Sequence, residues 1–321
     1  MVLRPIATAS LMAVGSWWSC RWLPGKPALT PALREMVKFG LNITGFTLMD
    51  FVARSVDRVA IGYFQGARNL GYYQNAQLVY TNALEVLALP LHGVAVSSLS
   101  KLRDNVDELR RSWANALCVF SFYSMPIFGI LAVTGQDVLV ILLGAKWLSA
   151  GTLLSVLALR GMANAVERTV GWLHVAAGRA DRWMRWGVVS CLAQVVALGC
   201  GLPFGTMGVV VAYSVAMYIL FIPAIAYSGG PFGIRFSDVT KVVMPPLVGA
   251  LCAAAAGFMT SYYVLANHQI LIRIPLLGLI YLAVYVLIVV FLFKVRKPIH
   301  VALSLTKGVS LRQLGKKMTG R

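Results

Sequence analysis

Apolar residues run along this chain in blocks, and short clusters of basic residues, glycine and proline separate them. A membrane-crossing helix needs roughly 20 mostly apolar residues. About nine blocks qualify, at approximately 5–20, 36–62, 71–99, 112–135, 151–177, 182–204, 207–228, 242–264 and 271–293. They predict an all-α, polytopic membrane helical bundle of about nine transmembrane helices, because helices alone satisfy their own backbone in lipid without closing a barrel. The connections are too short for a soluble domain or a catalytic loop domain.

Composition sharpens this picture. Hydrophobic residues make up 59% of the 321 positions and charged residues 12%, where a soluble domain carries roughly a quarter charged. That excludes a soluble enzyme, a disordered tail and a secreted disulfide scaffold. Cys20, Cys118, Cys191, Cys200 and Cys252 stand singly in apolar stretches, so they read as packing residues; no cofactor and no metal is expected. A net charge of +18 would point a soluble chain towards nucleic acid. Here the basic residues fall between the apolar blocks and act as topology signals instead, with no nucleic-acid partner.

The asymmetry is strong. Alternate connections hold Arg21, Lys26, Arg34 and Lys38; Lys101, Arg103, Arg110 and Arg111; Arg179, Arg182 and Arg185; Arg235 and Lys241; and the stretch from Lys294 to Arg321. The intervening set holds Arg4, Arg68, Lys146 and Arg273. The first set is predicted to face the cytoplasm, with the C-terminus inside. Trp17, Trp18, Trp22, Trp183 and Trp186 read as interfacial anchors. The basic C-terminal stretch has two readings, an amphipathic helix on an anionic leaflet or a solvated tail.

The most informative residues are those a span should not contain. Asp50, Arg54, Asp57 and Arg58 fall within roughly a 100° arc of one helix. Arg160, Asn164, Glu167 and Arg168 repeat the spacing, and Gln74, Gln77, Thr81, Glu85 and His92 make a third polar face. A charge at mid-bilayer costs roughly 2.5–3.5 kcal/mol even on the lenient insertion scale. These faces are therefore expected to line a protein interior or a wet cavity. Four buried acids, Asp50, Asp57, Glu85 and Glu167, match four arginines in number. One reading is helix-to-helix ion pairing. The other is a cavity whose arginines grip an anionic group, such as a phosphate, by bidentate bonds. For Glu85 and His92 a proton path is a further alternative. Pro90, Pro126, Pro203, Pro223, Pro245 and Pro246 are expected to interrupt helices, as hinges or as static kinks.

The run Val37-Lys38-Phe39-Gly40-Leu41-Asn42-Ile43-Thr44-Gly45-Phe46, continuing through Phe51-Val52-Ala53-Arg54-Ser55-Val56-Asp57 to Ile61-Gly62, resembles the Wzx-type polysaccharide flippases. So do Leu70-Gly71-Tyr72-Tyr73-Gln74-Asn75-Ala76, Leu143-Gly144-Ala145-Lys146-Trp147, and the stretch from Gly171-Trp172-Leu173 to Ala177-Gly178-Arg179. These belong to the multidrug/oligosaccharidyl-lipid/polysaccharide (MOP) exporter superfamily, and the likeness is to its exopolysaccharide and colanic-acid branch over roughly residues 22–228. The resemblance implies a MATE/MOP-like bundle that moves undecaprenyl-diphosphate-linked oligosaccharide across the bacterial inner membrane by alternating access, alongside membrane lipid and polysaccharide polymerase machinery. Arg54 and Asp57 lie inside the matched motif.

Such carriers have a dozen or more spans, so the implied organisation is a last span of a truncated N-terminal lobe at 1–20, a flippase-like core at 21–228, two additional spans at 229–294 and a basic tail at 295–321. The competing readings are a related multidrug exporter, which favours an acidic or aromatic cavity, and a membrane-embedded polymerase or glycosyltransferase, which needs a long catalytic loop.

Overall fold

The computed structural model describes residues 3–20, 31–265, 269–295 and 298. Among them there is no strand, and eight α-helices follow one another: α1 (Leu3–Cys20), α2 (Pro31–Ser100), α3 (Val106–Leu143), α4 (Leu148–Ala176), α5 (Ala180–Gly201), α6 (Gly205–Gly229), α7 (Phe236–Tyr263) and α8 (Ile270–Val286), the last extended by a π-helical turn over Leu287–Leu292. The chain divides into two units, 1–38 and 39–321. In the first, α1 exposes Trp17 and Trp18, while Trp22 lies outside the described residues. All that follows concerns the second.

The 70-residue α2 is a folded-back pair of arms. At Gly66 the backbone leaves helical space, with φ 84° and ψ 166°, a conformation open essentially to glycine alone. In a straight helix Asp57 and Tyr73 would stand about 24 Å apart. Instead the Tyr73 hydroxyl donates to Asp57 Oδ2 at 2.7 Å. The two arms are therefore antiparallel, and the reversal sits at Gly66. We expect Gly66→Ala to lower stability by about 1–3 kcal/mol through backbone strain, since no atom lies within 4 Å of the added Cβ. Thermal unfolding of the purified protein checks this; an unchanged midpoint would show that the turn tolerates a side chain.

A second reversal follows the same logic. Trp186 and Tyr227 stack at 6.0 Å and Arg182 lies 4.3 Å over the Tyr227 ring, so the start of α5 meets the end of α6 across the turn Leu202–Phe204. Between α3 and α4 the backbones approach closely through Gly135 and Gly151, where a Cβ on Gly135 would stand 3.1 Å from the Gly151 carbonyl. Trp113 Nε1 donates to the Thr169 carbonyl at 2.8 Å across the same pair. Tyr281 and Tyr285 of α8 donate to the carbonyls of Ala250 in α7 and Phe122 in α3. Buried aromatic hydroxyls thus tie α3, α7 and α8 together without leaving a donor unpaired.

Five helical stretches are long and apolar enough to cross a membrane: Val106–Leu143, Ala145–Ala176, Ala180–Phe232, Phe236–Tyr263 and Ile270–Leu292. A sixth is counted if Leu33–Leu89 and Leu91–Ser100, bent by 43°, form one span. The expectation was about nine, so that number is not reached by this criterion. Two physical causes account for most of the difference, and α1 does not qualify either. The charges of α2 dilute its hydropathy, and Ala180–Phe232, counted once, contains the reversal between α5 and α6. Outward-facing Leu142, Leu192, Val196, Ile219, Leu251, Leu279 and Phe291 present the apolar surface that lipid requires.

The connections collect at two ends. Gln65 Nε2 donates to the Leu202 carbonyl at 3.1 Å, and the Tyr72 and Trp147 rings meet edge-on at 5.6 Å. Hence the turns at Gly66, 144–147 and 202–204 share one end. Arg110 reaches the Gly233 carbonyl at 3.5 Å and Arg179 lies 5.7 Å over Phe232, which gathers the turns at 101–105, 177–179 and 230–235 at the other. Pro126, Pro223, Pro245 and Pro246 sit inside α3, α6 and α7, which continue past them; Pro203 marks the turn after α5 and the 43° bend coincides with Pro90. The basic stretch beyond Val295 lies outside the described residues except for Pro298.

Candidate functional site

The first arm of α2 is amphipathic in reverse, with its polar stripe turned inward. That stripe brings Asp50 and Asp57, with Phe46 and Thr47, to one wall of a cavity of about 560 Å³. The second arm supplies Gln77, Tyr80, Thr81, Glu85 and His92. The facing wall is α4, whose Arg160, Asn164, Glu167 and Arg168 recur at helical spacing, and α5 closes the side with Trp183, Ser190 and Gln194. None of the lining comes from α3, α7 or α8.

Three polar contacts join α2 and α4 or the two arms of α2. Arg168 Nη2 donates to Glu85 Oε1 at 2.6 Å, an ion pair whose side chains retain 27% and 31% exposure. Asn164 Nδ2 donates to the Tyr80 hydroxyl at 3.0 Å. Asp57, 7% exposed, accepts from Tyr73. Arg160 is held differently, with one donor directed at Gln194 Oε1 at 3.5 Å and its guanidinium 5.4 Å over the Tyr213 ring. Glu167 accepts from Trp186 Nε1 at 3.4 Å.

The expected faces are thus largely brought together. Asp50, Asp57, Glu85, Arg160, Asn164, Glu167 and Arg168 all line the cavity, as does His92. Arg58 and Gln74 are exposed and do not line it. Arg54 lies on α2, and its side chain is outside the described residues. The described lining therefore carries four carboxylates and two guanidinium groups, more acidic than the balanced set expected. Glu85 and His92 share a wall, and the nearest ring contact of His92 is with Trp172 at 6.1 Å. Trp183 and Trp186, expected as interfacial anchors, pack against protein: Trp183, half-buried, stacks on Phe46 at 4.2 Å and Trp186 is 5% exposed.

Sequence reasoning missed Tyr80, Ser190 and Gln194, which are uncharged and therefore inconspicuous in an apolar run. The i, i+4 pair Ser190 and Gln194 was the available signal, and Gln194 Nε2 does donate to Ser190 Oγ at 3.4 Å. It also missed a second buried pair, Asp137 of α3 with Arg273 of α8.

Residues 1–152 match a family described as polysaccharide biosynthesis protein. Over 187 residues the chain is 24% identical to the teichuronic acid biosynthesis protein TuaB of Bacillus subtilis, covering 58% of this chain and 39% of that one. Over 197 residues it is 21% identical to the lipopolysaccharide biosynthesis protein WzxC of Escherichia coli, covering 61% and 40%. An uncharacterized membrane protein in the cps region of Klebsiella pneumoniae is 24% identical over 169 residues, covering 52% and 35%. The chain therefore spans about two fifths of the length of the curated relatives it matches. Among solved structures, the lipid II flippase MurJ in an inward closed conformation superimposes with a TM-score of 0.63 at 18% identity, over 78% of this chain and 52% of that one. The resemblance drawn from sequence motifs holds, and the fold is of the MurJ type.

Proposed function

We propose that this chain, similar in sequence to polysaccharide-biosynthesis membrane proteins and in fold to a lipid flippase, belongs to a transporter that moves a lipid-linked oligosaccharide across the bacterial inner membrane. The observation that carries the reading is the charged cavity between α2, α4 and α5, set inside a bundle whose outer surface is apolar. A lipid-linked saccharide has the matching division: its headgroup needs a polar enclosure while its polyprenyl tail stays in lipid. Arg160 is the group that meets the diphosphate, and alternating access exposes it to either side in turn. Undecaprenyl diphosphate is the carrier lipid in this reading, polymerase machinery takes the product, and the end bearing Arg110, Arg179 and Arg235 faces the cytoplasm, with the C-terminus. Turns of a few residues at 144–147, 177–179 and 202–204 support transport over membrane-embedded catalysis.

One observation favours a second reading, export of a cationic compound. The described lining holds four carboxylates, with Phe46, Tyr80, Trp172 and Trp183 beside them. Reconstitution separates the two. Purified protein in vesicles is expected to translocate a fluorescent polyprenyl-diphosphate-linked sugar, scored by quencher access, and Arg160→Ala to slow it at least about tenfold, the loss of one charge-assisted contact. Transport of a cationic dye with no lipid translocation above protein-free vesicles would overturn the flippase reading and establish the other.

A further inference from the structure

Among the described residues, three polar atoms at one end of the cavity are buried without a hydrogen-bond partner: Asp57 Oδ1, Gln77 Oε1 and Arg160 Nε. All three residues line the cavity. Tyr73, one turn from Gln77 on the same arm, holds the other oxygen of Asp57, and Arg160 stands one turn before Asn164, which bonds Tyr80 of that arm. This end of the cavity wall therefore combines a charged acceptor, a neutral acceptor and a charged donor.

Electrostatics selects the chemistry of an occupant there. A simple cation would satisfy Asp57 and Gln77 but meet the guanidinium of Arg160. A simple anion would satisfy Arg160 but meet the carboxylate of Asp57. A neutral group with several hydroxyls meets all three, because each hydroxyl both donates and accepts and so replaces a water molecule bond for bond. Neighbouring hydroxyls on a sugar ring have the spacing to bridge a carboxylate and an amide.

We infer that Asp57, Gln77 and the Nε edge of Arg160 form a sugar-hydroxyl subsite, distinct from the Arg168–Glu85 pair eight residues, or about 12 Å, further along α4. It rests on the flippase reading and adds to it that this end of the cavity reads the saccharide. The terminal nitrogens of Arg160 remain for the charged group. A site built to bond hydroxyls discriminates strongly against ligands lacking them, since its own buried polar atoms are then left unpaired.

The test uses the purified full chain in nanodiscs and two probes, a bare polyprenyl diphosphate and the same lipid bearing one hexose. Unmodified protein is expected to bind the hexose-bearing lipid at least about tenfold more tightly, the worth of one well-made hydrogen bond. Gln77→Met, similar in volume but without an acceptor, is expected to bring that ratio down towards one; Gln77→Glu, which keeps an acceptor, is expected to retain most of it. Asp57→Asn, which still accepts from Tyr73, is expected to lower it as well. Thermal unfolding of each variant shows that the fold persists. If both lipids bind equally to the unmodified protein, or Gln77→Met leaves the ratio intact, the subsite is overturned while the flippase reading stands. If neither lipid binds, the flippase reading fails and the subsite with it.

Discussion

Arg168→Glu is expected to abolish lipid translocation, and adding Glu85→Arg to bring most of it back. The single reversal places two carboxylates where a guanidinium and a carboxylate stand 2.6 Å apart. Like charges roughly 4 Å apart repel by about 4 kcal/mol at an effective dielectric near 20, so the α2–α4 contact opens and transport falls on the order of a hundredfold or more. The double reversal rebuilds the pair with its ends exchanged. We expect it to recover folded protein and translocation to within about tenfold of the original, because Arg168 is engaged with Glu85 along the wall where α2 meets α4. Thermal unfolding and vesicle translocation, measured on all three variants, check this. Recovery of folded protein without recovery of transport would assign the Arg168 guanidinium to the substrate instead.

Much of the cavity was legible because lipid makes charge conspicuous. Arg160, Asn164, Glu167 and Arg168 stood out from the apolar run around them, and their spacing gave the face that the structure turns inward. Periodicity gives angle and leaves depth open. Gln74 shares the helical face of Gln77 and Glu85, yet it sits one turn nearer the reversal at Gly66 and its side chain is exposed. Arg58 lies at the edge of its arc, about 80° from Asp50, and turns out of the cavity. The tryptophans of α5 show a related limit of periodicity. A tryptophan at the start of a span usually marks the membrane interface, and the packing partners of these two, Phe46 and Tyr227, come from distant parts of the chain that spacing alone does not supply.

The Asp137–Arg273 pair was illegible because its members were assigned to connections between spans. Helix α3 runs on to Leu143, past the expected end at 135, and α8 begins at Ile270, so both residues are helical. Arg273 Nε donates to Asp137 Oδ2 at 2.8 Å and Nη2 bonds the other oxygen, a two-pronged contact with Asp137 6% exposed. Removing one partner of such a pair leaves the other charge buried and unanswered, which typically costs about 3–5 kcal/mol. Arg273→Met is therefore expected to destabilise the bundle by about that amount in thermal or detergent-induced unfolding. Replacing both, Asp137→Leu with Arg273→Met, is expected to cost no more than about 1 kcal/mol, since well-packed apolar groups can stand in for a buried ion pair. Neither residue lines the cavity, so the double variant is also expected to translocate the lipid at close to the original rate. A single Arg273→Met variant as stable as the parent would mean that solvent reaches the pair; a stable double variant with no translocation would mean that α3 and α8 take part in the transport movement.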